Sequence, residues 1–168
     1  SLIAHQGHRD DLTAVAFRPD GKQIVTGDVT GVLKVWNAEV HPEAITLPSQ
    51  PAATRVAFGK DGRYVAVAGR SHSWETRRGA ITRFDFQNRP LPPDAATPGT
   101  IQIHDITNGR QLLTLAGGPG DILGMAMDPQ SRFIAAGGAD QHVRVWNLDN
   151  GAIAYEWPTP GIVRCVAV

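Results

Sequence analysis

The sequence predicts an all-β protein built from repeated four-stranded antiparallel units. Three observations lead to this fold class: apolar triplets recur at a regular spacing, turn-forming residues follow them, and 18 Gly and 12 Pro occur among 168 residues. The third positions of the triplets are 41, 69 and 41 residues apart, a spacing that indicates a repeated structural unit. Each triplet places Ala between two large apolar residues: Val15–Phe17, Val56–Phe58, Met125–Met127 and Val166–Val168.

Each of the first three triplets is predicted to end the first strand of a hairpin. Turns such as Arg18–Gly21 and Gly59–Gly62 follow directly, with Pro, Asp and Gly at positions that favour a type I turn. Short apolar stretches that end near a Gly come next, and they are interpreted as the second strands of the hairpins: Ile24–Thr26, Tyr64–Val67 and Phe133–Ala136.

The third strand of each unit is predicted to end on an aromatic residue. The distance from the triplet to this aromatic is 19 residues in the first and third units, at Trp36 and Trp146, but 46 residues in the middle unit, at His104. The middle unit therefore contains 27 extra residues, and without them the 69-residue spacing becomes 42. The third strands are Val32–Asn37, Ile101–Asp105 and Val143–Asn147.

A fourth strand follows an Asn-Gly pair, which is typical of a two-residue hairpin turn. These pairs precede Gln111–Leu115 and Ala152–Trp157. A four-stranded sheet that is apolar on both faces is buried only by stacking on similar sheets, which favours a β-propeller; a β-sandwich is the weaker alternative.

The chain resembles the WD-repeat (WD40) β-propellers. The resemblance covers essentially the whole chain outside the extra residues, and several weak motifs in the same order at one period make it specific. The matching stretches are Gly7-His8, Thr13–Gly21, Gly31–Asn37, Gly99–Asp105 and Asp140–Asn147.

The resemblance implies one partial propeller of about three and a half blades across residues 1–168. Blade one is expected at 12–47, blade two at 53–115 with an insertion at about 70–98, and blade three at 122–157. Residues 1–5 and 162–168 are expected to belong to incomplete flanking blades, so the polypeptide is expected to continue in both directions. The 13 Arg against three Lys, with abundant Ala, Gly and Pro, favour a bacterial source.

The resemblance also implies a buried hydrogen-bonded set in each blade. Its members are a His before the first strand, a Ser or Thr on the second, an Asp in the next turn and the Trp of the third. Blade one has His8, Thr26 and Trp36, but Thr30 stands at the position expected for the Asp.

The other two blades match this set less well. Blade three has Asp140 and Trp146, with Gly118 and Ala136 in the remaining places, and blade two has only His104 in place of the Trp. No blade is expected to complete the set, so apolar stacking is expected to hold the blades together.

Composition excludes several classes of protein. The 16 basic and 16 acidic side chains leave no net charge to recruit nucleic acid or an anionic membrane, so neither is an expected partner. No apolar run approaches the roughly 20 residues of a membrane span, and no secretory leader is visible, so a cytoplasmic location is predicted. The single cysteine, Cys165, lies in an apolar strand and is predicted to be a buried, inert thiol.

No catalytic, cofactor or metal site is predicted. The chain contains no nucleophile elbow, zinc-protease motif or phosphate-binding loop, and its six histidines lack the spacing of metal ligands. Gly117–Gly120 is interpreted as a loop between blades. His104 and Asp105 are consecutive strand residues, which point to opposite faces and therefore do not form a catalytic pair.

The insertion is the segment that the repeat does not explain, and it combines arginines with aromatic residues. Five Arg against three acidic residues give it a local net charge of +2 in a neutral chain, a composition typical of interaction hot spots. Its candidate partner contacts are Arg70, His72, Trp74, Arg77 and Arg78.

A simpler interpretation of the insertion remains open. Ile81, Phe84 and Phe86 would form a small extra hairpin against Trp74, the arginines would be solvated, and Pro90–Pro98 would be a stiff linker. In that case partner contacts are expected before the first strands of the blades, at Arg9, Asp10, Asp11 and Asp121.

The leading functional prediction is a non-catalytic scaffold for protein–protein interactions within a larger WD-repeat protein. Its expected partners are a protein or peptide, acidic or phosphorylated, and the remaining blades of the same polypeptide. The alternative is part of a propeller enzyme, or of the sensor region of a signalling protein such as a bacterial Ser/Thr kinase.

Overall fold

The computed structural model confirms the all-β fold class. It describes residues 7–38, 45–47, 52–69, 72–77, 80–85, 90–91 and 98–167, with the backbone alone for 72–77, 80–85 and 90–91. These residues form three four-stranded antiparallel sheets and one three-stranded sheet.

Each four-stranded sheet is one blade, and its four strands lie side by side in the order in which they follow one another along the chain, apart from the strands of the insertion. Blade one contains β1 (Leu12–Phe17), β2 (Gln23–Asp28), β3 (Leu33–Asn37) and β4 (Ile45–Leu47). The second blade is interrupted by the insertion, which contains β7 (His72–Arg77), β8 (Ala80–Asp85) and β9 (Pro90–Leu91). Blade two itself contains β5 (Ala53–Phe58), β6 (Tyr64–Gly69), β10 (Pro98–Asp105) and β11 (Arg110–Pro119). Blade three contains β12 (Ile122–Met127), β13 (Phe133–Gly138), β14 (His142–Asn147) and β15 (Ile153–Pro158).

Strand β6 shows how the blades stack, because its side chains alternate between two cores. Val65 and Val67 are buried in the cluster shared with blade one, whereas Ala66 and Ala68 are buried in the cluster shared with blade three. The period of two in a strand therefore places β6 in both interfaces, and small residues on one face and branched residues on the other set the spacing of the blades.

The first strand of every blade has the same irregularity near its start. The register shifts between Leu12 and Ala14, between Ala53 and Arg55, and at the equivalent place in β12, which leaves one extra residue in each first strand. In blade two this residue is Thr54, whose buried hydroxyl lies 3.0 Å from Ala68 O and 2.9 Å from Ile122 O. Thr54 thus joins blade two to blade three.

The Asn-Gly pairs lie in turns with positive φ, as predicted, but the predicted loop length is wrong. Gly109 has φ 70°, yet Asp105 pairs with Arg110, so four residues rather than two separate the strands of blade two. Gly109 N donates to Asp105 O (2.8 Å), and Asn108 Oδ1 accepts from Arg110 N (2.9 Å). The Asn side chain therefore stabilises a wider turn than the dipeptide alone predicts.

The insertion forms the separate three-stranded sheet, in the order β7-β8-β9. Strands β7 and β8 make the hairpin of the simpler interpretation, with Trp74 opposite Arg83. The predicted stiff linker is wrong at both ends, because Pro90 and Leu91 pair with β8 and Pro98 begins β10. Phe86 and residues 92–97 lie outside the described residues.

Two other predictions about connections and termini are wrong. Gly117–Pro119 belong to β11, so the expected loop between blades begins only at Gly120. Cys165 is exposed, because its backbone rather than its side chain lies against Gly124. Residues 161–167 run along the outer face of blade three without strand pairing, while residues 1–5 lie outside the described part of the chain.

Candidate functional site

The antiparallel topology places both ends of the insertion at one edge of the blades. The connections before β1 and β12 and the turns after β2 and β13 lie at this same edge. We call it the insertion face, comprising residues 7–11, 29–31, 119–121 and 139–141. Val29 N donates to Asp11 O, and Ala139 N donates to Asp121 O, both at 3.0 Å, so each connection is hydrogen-bonded to the turn beside it.

Blade one contains a continuous chain of buried hydrogen bonds beneath this face. Trp36 Nε1 donates to Thr26 Oγ1 (2.7 Å), and Thr26 Oγ1 lies 2.7 Å from His8 Nε2. His8 Nδ1 in turn lies 2.7 Å from Asp28 Oδ2. With the His8 proton on Nδ1, Trp36, Thr26 and His8 each donate one hydrogen along the chain, which ends on the carboxylate.

The prediction that no blade completes the set is therefore wrong for blade one, because Asp28 rather than Thr30 supplies the carboxylate. Asp28 Oδ1 also accepts from Thr30 N (3.0 Å), Thr30 Oγ1 (2.6 Å) and Val32 N (3.0 Å). Burial disfavours the charged carboxylate, but the hydrogen bonds from Thr30, His8 and Val32 outweigh burial and lower the pKa of Asp28.

A sequence signal for Asp28 exists in the spacing Asp-x-Thr. The same spacing recurs at Asp105 and Thr107, where Asp105 Oδ1 accepts from Thr107 N at 2.9 Å and from Thr107 Oγ1 at 2.5 Å. An Asp whose side chain binds the backbone two residues later caps a turn. The sequence comparison missed this cap because it looked for the Asp at the position of Thr30, two residues later in the chain.

In blade three an arginine takes the volume that the His occupies in blade one. Arg144 forms an ion pair with Asp140 and another with Glu156 at 2.7 Å. A Cβ on Gly118 would come within 2.6 Å of the Arg144 guanidinium, so the absence of a side chain at Gly118 makes room for it. Burial lowers the pKa of Arg144, but the hydrogen bond and charge of Asp140 outweigh burial and raise it.

The aromatic residues of the third strands occupy equivalent places, as predicted. Trp36, His104 and Trp146 lie opposite Ile24, Val65 and Ile134 on the neighbouring second strands. All three aromatic residues are buried, which is consistent with a structural role. Burial lowers the pKa of His104.

Asp105 follows His104 in the chain, but its carboxylate lies at the edge of blade two opposite the insertion face. Arg63 Nε donates to Asp105 Oδ2 (2.9 Å), and Arg63 Nη2 lies 2.8 Å from the same oxygen. The Thr107 hydroxyl and the Arg63 guanidinium lower the pKa of Asp105 to about 2. This carboxylate therefore stabilises a turn, and it does not form a pair with His104.

The candidate contacts before the first strands fall into two groups. Arg9 and Asp10 are exposed and line an open cleft on blade one together with Lys34, which the sequence analysis did not single out. Asp11 and Asp121 contribute backbone oxygens to the turns beside them. Lys34 could have been found from its place in β3, two residues before Trp36 on the same face of the strand.

The candidate contacts in the insertion remain predictions. Arg70 and Arg78 lie outside the described residues. His72, Trp74 and Arg77 lie in β7, at register positions opposite Asp85, Arg83 and Ala80.

Within the described ranges, no three His, Cys, Asp or Glu side chains are grouped as metal ligands. No helix in those ranges is long and apolar enough to cross a bilayer.

The comparisons with known proteins place these observations in a family context. The family model "WD domain, G-beta repeat" matches residues 1–37 and 109–147. The solved structure of RRP9 WD40 repeats superposes with a TM-score of 0.73 at 17% identity, covering 95% of this chain and 42% of that chain. The computationally designed Ika4 protein superposes with a TM-score of 0.74 at 19% identity, covering 100% of this chain and 86% of that one. These matches support a WD40-repeat assignment and show the propeller-type fold.

The curated relatives match parts of longer proteins. Eukaryotic translation initiation factor 3 subunit I of Candida albicans is 39% identical over 61 residues, which are 36% of this chain and 17% of that protein. WD repeat and HMG-box DNA-binding protein 1 of Mus musculus is 24% identical over 167 residues, covering 90% of this chain and 15% of that protein. The chain thus spans about a sixth of these two relatives. Both are eukaryotic, so they do not support the predicted bacterial source, and neither name supports the predicted signalling role.

Proposed function

We propose that the chain is part of a WD-repeat β-propeller that serves as a non-catalytic scaffold for protein–protein interactions. The similarity to WD40-repeat proteins supports, in general terms, a scaffold role in protein–protein interactions for this chain. The observation that carries the proposal is the build of the insertion face on blade one, where exposed side chains stand on a buried hydrogen-bonded base. Arg9, Asp10 and Thr30 are exposed, whereas Thr26 and Asp28 beneath them are buried.

A base of this kind favours binding because the loops are already ordered. The turn after β2 is held by three hydrogen bonds to Asp28 Oδ1 and by the bond from Val29 N to Asp11 O. A partner that docks on an ordered loop avoids much of the entropy cost of fixing that loop. Rigid scaffolds that display variable loops are a common design of binding proteins.

The insertion is proposed as the element that selects the partner, with Trp74, Arg77 and Arg78 as its contacts. It leaves blade two from β6 and returns at β10, on the insertion face. Its return is fixed closely to the start of blade three, since Pro98 forms a parallel bridge with Gly120. A Cβ on Gly99 would lie 2.7 Å from Gly120 O, so this approach requires the missing side chain. The net charge of +2 favours an acidic or phosphorylated surface on the partner.

Further blades of the same polypeptide are proposed to cover the outer face of blade three. Leu33 and Val35 of blade one are buried against blade two, whereas the equivalent Val143 and Val145 are only partly buried. On that open face a Cβ on Gly137 would lie 2.6 Å from Val163, just as one on Gly27 would lie 2.7 Å from Ala53 of the next blade. Residues 161–167 therefore lie where the first strand of a following blade belongs.

The test is to replace residues 72–97 of the full-length protein with a short Gly-containing turn. Thermal unfolding and partner capture from the source organism are then measured on the same preparation. Loss of the captured partner from a protein that still unfolds cooperatively supports the proposal. The matched control substitutes Lys22 and Lys60, which are exposed in hairpins at the opposite edge, and is expected to leave capture unchanged.

Unchanged capture after the replacement would contradict the role of the insertion. Loss of capture in the control alone would indicate that the partner binds at the opposite edge.

The open reading frame that contains this chain distinguishes the scaffold from the alternative, a propeller enzyme or a kinase sensor region. The cytoplasmic location stays a prediction from the sequence.

A further inference from the structure

A pocket of about 250 Å³ lies between blades two and three, at the edge opposite the insertion face, and we call it the interface pocket. Ile103, Leu113, Met127 and Leu148 form its apolar walls. Ile103 belongs to the core between these two blades, and the other three residues are partly buried against that core. The pocket is therefore the open end of a packed interface, and its volume suits one long side chain rather than a cofactor.

Asp149 is the one charged side chain among the described residues that line the pocket. It is exposed in the β14–β15 turn, where Asp149 N donates to Asn147 Oδ1 (2.8 Å). Its carboxylate has no ion pair within the described ranges. Arg63 lies 5.2 Å from the centroid of the Tyr64 ring at the rim, but this cation is paired with Asp105 at 2.8 Å. The pocket thus combines apolar walls with an uncompensated negative charge at its mouth.

The interface between blades one and two supplies an internal comparison. Tyr64 begins the second strand of blade two, and Ser131 closes the turn before the second strand of blade three; both line the pocket. Gln23 and Gly62 hold these two places one blade earlier. The same position can therefore be compared at two interfaces of one chain.

At the interface of blades one and two, the side chain of Arg18 covers both equivalent places. Arg18 Nη1 donates to Gln23 Oε1 (3.1 Å), and Arg18 Nη2 donates to Asp61 O (3.3 Å). A Cβ on Gly62 would come within 2.7 Å of Arg18 Cγ, so the aliphatic part of the arginine lies directly on this turn. Here the chain fills the position with its own arginine.

At the interface of blades two and three, Gly59 stands in the place of Arg18 and provides no side chain. Both residues begin the turn after a first strand, and a Cβ on Gly59 would already lie 2.9 Å from Ser131 Oγ. The apolar residue beside this position is buried at the earlier interface, at Ile106, but its equivalent Leu148 is only partly buried. Both interfaces lie between blades whose four strands are described, so the contrast follows from the residues themselves.

We propose that the interface pocket binds an arginine side chain of a partner polypeptide, with its aliphatic part against Leu113 and Leu148 and its guanidinium at Asp149. Arginine combines an apolar stem with a planar cation that matches a carboxylate. Arg18 shows that an arginine fits the equivalent place one blade earlier. This inference rests on the proposed role as a protein-binding scaffold and adds a contact region at the edge opposite the insertion.

The experiment follows the isotope-labelled methyl groups of Ile, Leu and Met in the full-length protein by NMR. The walls of the pocket supply local reporters at Ile103, Leu113, Met127 and Leu148. The protein is titrated with capped peptides that carry Gly on both sides of one central residue, which is Arg, citrulline or Leu. Citrulline keeps the shape of arginine without its charge, and Leu tests a purely apolar occupant.

Three variants accompany the unaltered protein, each with a thermal unfolding curve to show that it is folded. Asp149→Asn removes the charge of the pocket. Asp20→Asn is the matched control, because Asp20 is an exposed carboxylate at the same edge of blade one. A double variant, Gly59→Arg with Ser131→Gly, copies the pair of Arg18 and Gly62 and is expected to fill the pocket. Ser131 has a φ of 56°, which a glycine adopts readily.

We expect the Arg peptide to shift the methyl signals of the pocket and to bind at least about threefold more tightly than the citrulline peptide, as for one exposed ion pair. The Leu peptide is expected to bind more weakly than the Arg peptide. Asp149→Asn should remove the difference between Arg and citrulline, and Asp20→Asn should retain it. The filled double variant should lose the shifts altogether.

Absence of shifts at the pocket methyl groups with the Arg peptide, or an undiminished preference for Arg over citrulline in Asp149→Asn, would overturn the inference. Tighter binding of the Leu peptide would also overturn it, since it would assign the pocket to an apolar group. If the double variant does not fold, Asp149→Asn decides alone.

Replacement of the insertion separates this inference from the proposed function. A negative peptide result with lost partner capture rejects the pocket alone, and intact peptide binding with unchanged capture rejects the role of the insertion alone.

Discussion

The substitution Asp28→Asn tests whether Asp28 completes the buried network of blade one. It keeps the shape of the side chain but replaces one carboxylate oxygen with an NH2 group. If the NH2 takes the place of Oδ2, it faces His8 Nδ1; if it takes the place of Oδ1, it faces the N–H groups of Thr30 and Val32. In the first orientation His8 can accept from the NH2 group only by moving its proton to Nε2, which leaves the Thr26 hydroxyl without its acceptor, and in the second orientation donors oppose donors.

The size of the effect follows from these contacts. A hydrogen bond to a charged group contributes about 1.5–3 kcal/mol, and a buried donor left without an acceptor costs about 1–3 kcal/mol. We expect Asp28→Asn to lower the free energy of unfolding by about 3 kcal/mol in total. The matched control is Asp20→Asn, because Asp20 is exposed and accepts one backbone hydrogen bond, from Lys22 N. The control is expected to change the free energy by less than about 1 kcal/mol.

Urea unfolding followed by tryptophan fluorescence measures both variants, and Trp36, a member of the network, is one of the four tryptophans that contribute to the signal. The pH dependence adds a second criterion. Because the pKa of Asp28 is lowered on folding, its contribution to stability is present above the ordinary carboxyl pKa and is lost as the pH falls through the lowered value. Asp28→Asn should therefore flatten the acid side of the stability profile. Equal losses in the two variants, with unchanged acid profiles, would refute this reasoning.

Three further changes test other parts of the structure. Trp146→Ala should cost about 3–5 kcal/mol in urea unfolding, because the side chain is buried in the core between blades two and three; unchanged stability would contradict its structural role. Arg144→Ala should cost about 3 kcal/mol because it leaves the Asp140 carboxylate uncompensated. Asp140→Asn in the same chain should recover part of that loss, and a purely additive double variant would contradict the pairing. Asp105, with its pKa lowered to about 2, stabilises the fold above pH 3.8 and loses this effect as the pH falls toward 2. Asp105→Asn should remove that part of the acid profile.

The elements that could be predicted from the sequence are those set by local pattern. The apolar triplets, the Gly-containing turns and the aromatic third strands each depend on a few consecutive residues. The four-stranded order of every blade and the buried positions of Trp36, His104 and Trp146 were predicted in this way. The spacing alone also located the insertion, because a repeat of fixed length reveals any added segment.

The missed features depend on where a side chain reaches in space. Asp28 was overlooked because its carboxylate caps a turn from two residues before the expected position. Arg144 was overlooked because the volume it fills was vacated by Gly118, which is distant in sequence and adjacent in the fold. The solvent exposure of Cys165 depends on which neighbouring elements are present to cover it.

The third strands show why one set of positions in this repeat varies in chemistry while the other set does not. Leu33 and Ile101 point toward the next blade and are fully buried there, so their exchange for polar residues would be costly. The alternate positions, Lys34, Gln102 and Arg144, have different chemistry in each blade, and two of them carry a positive charge. A buried cation at such a position is stabilised by an anion nearby. Arg144 finds its anions within blade three, at Asp140 and Glu156, so this blade accommodates a buried cation at such a position without a ligand.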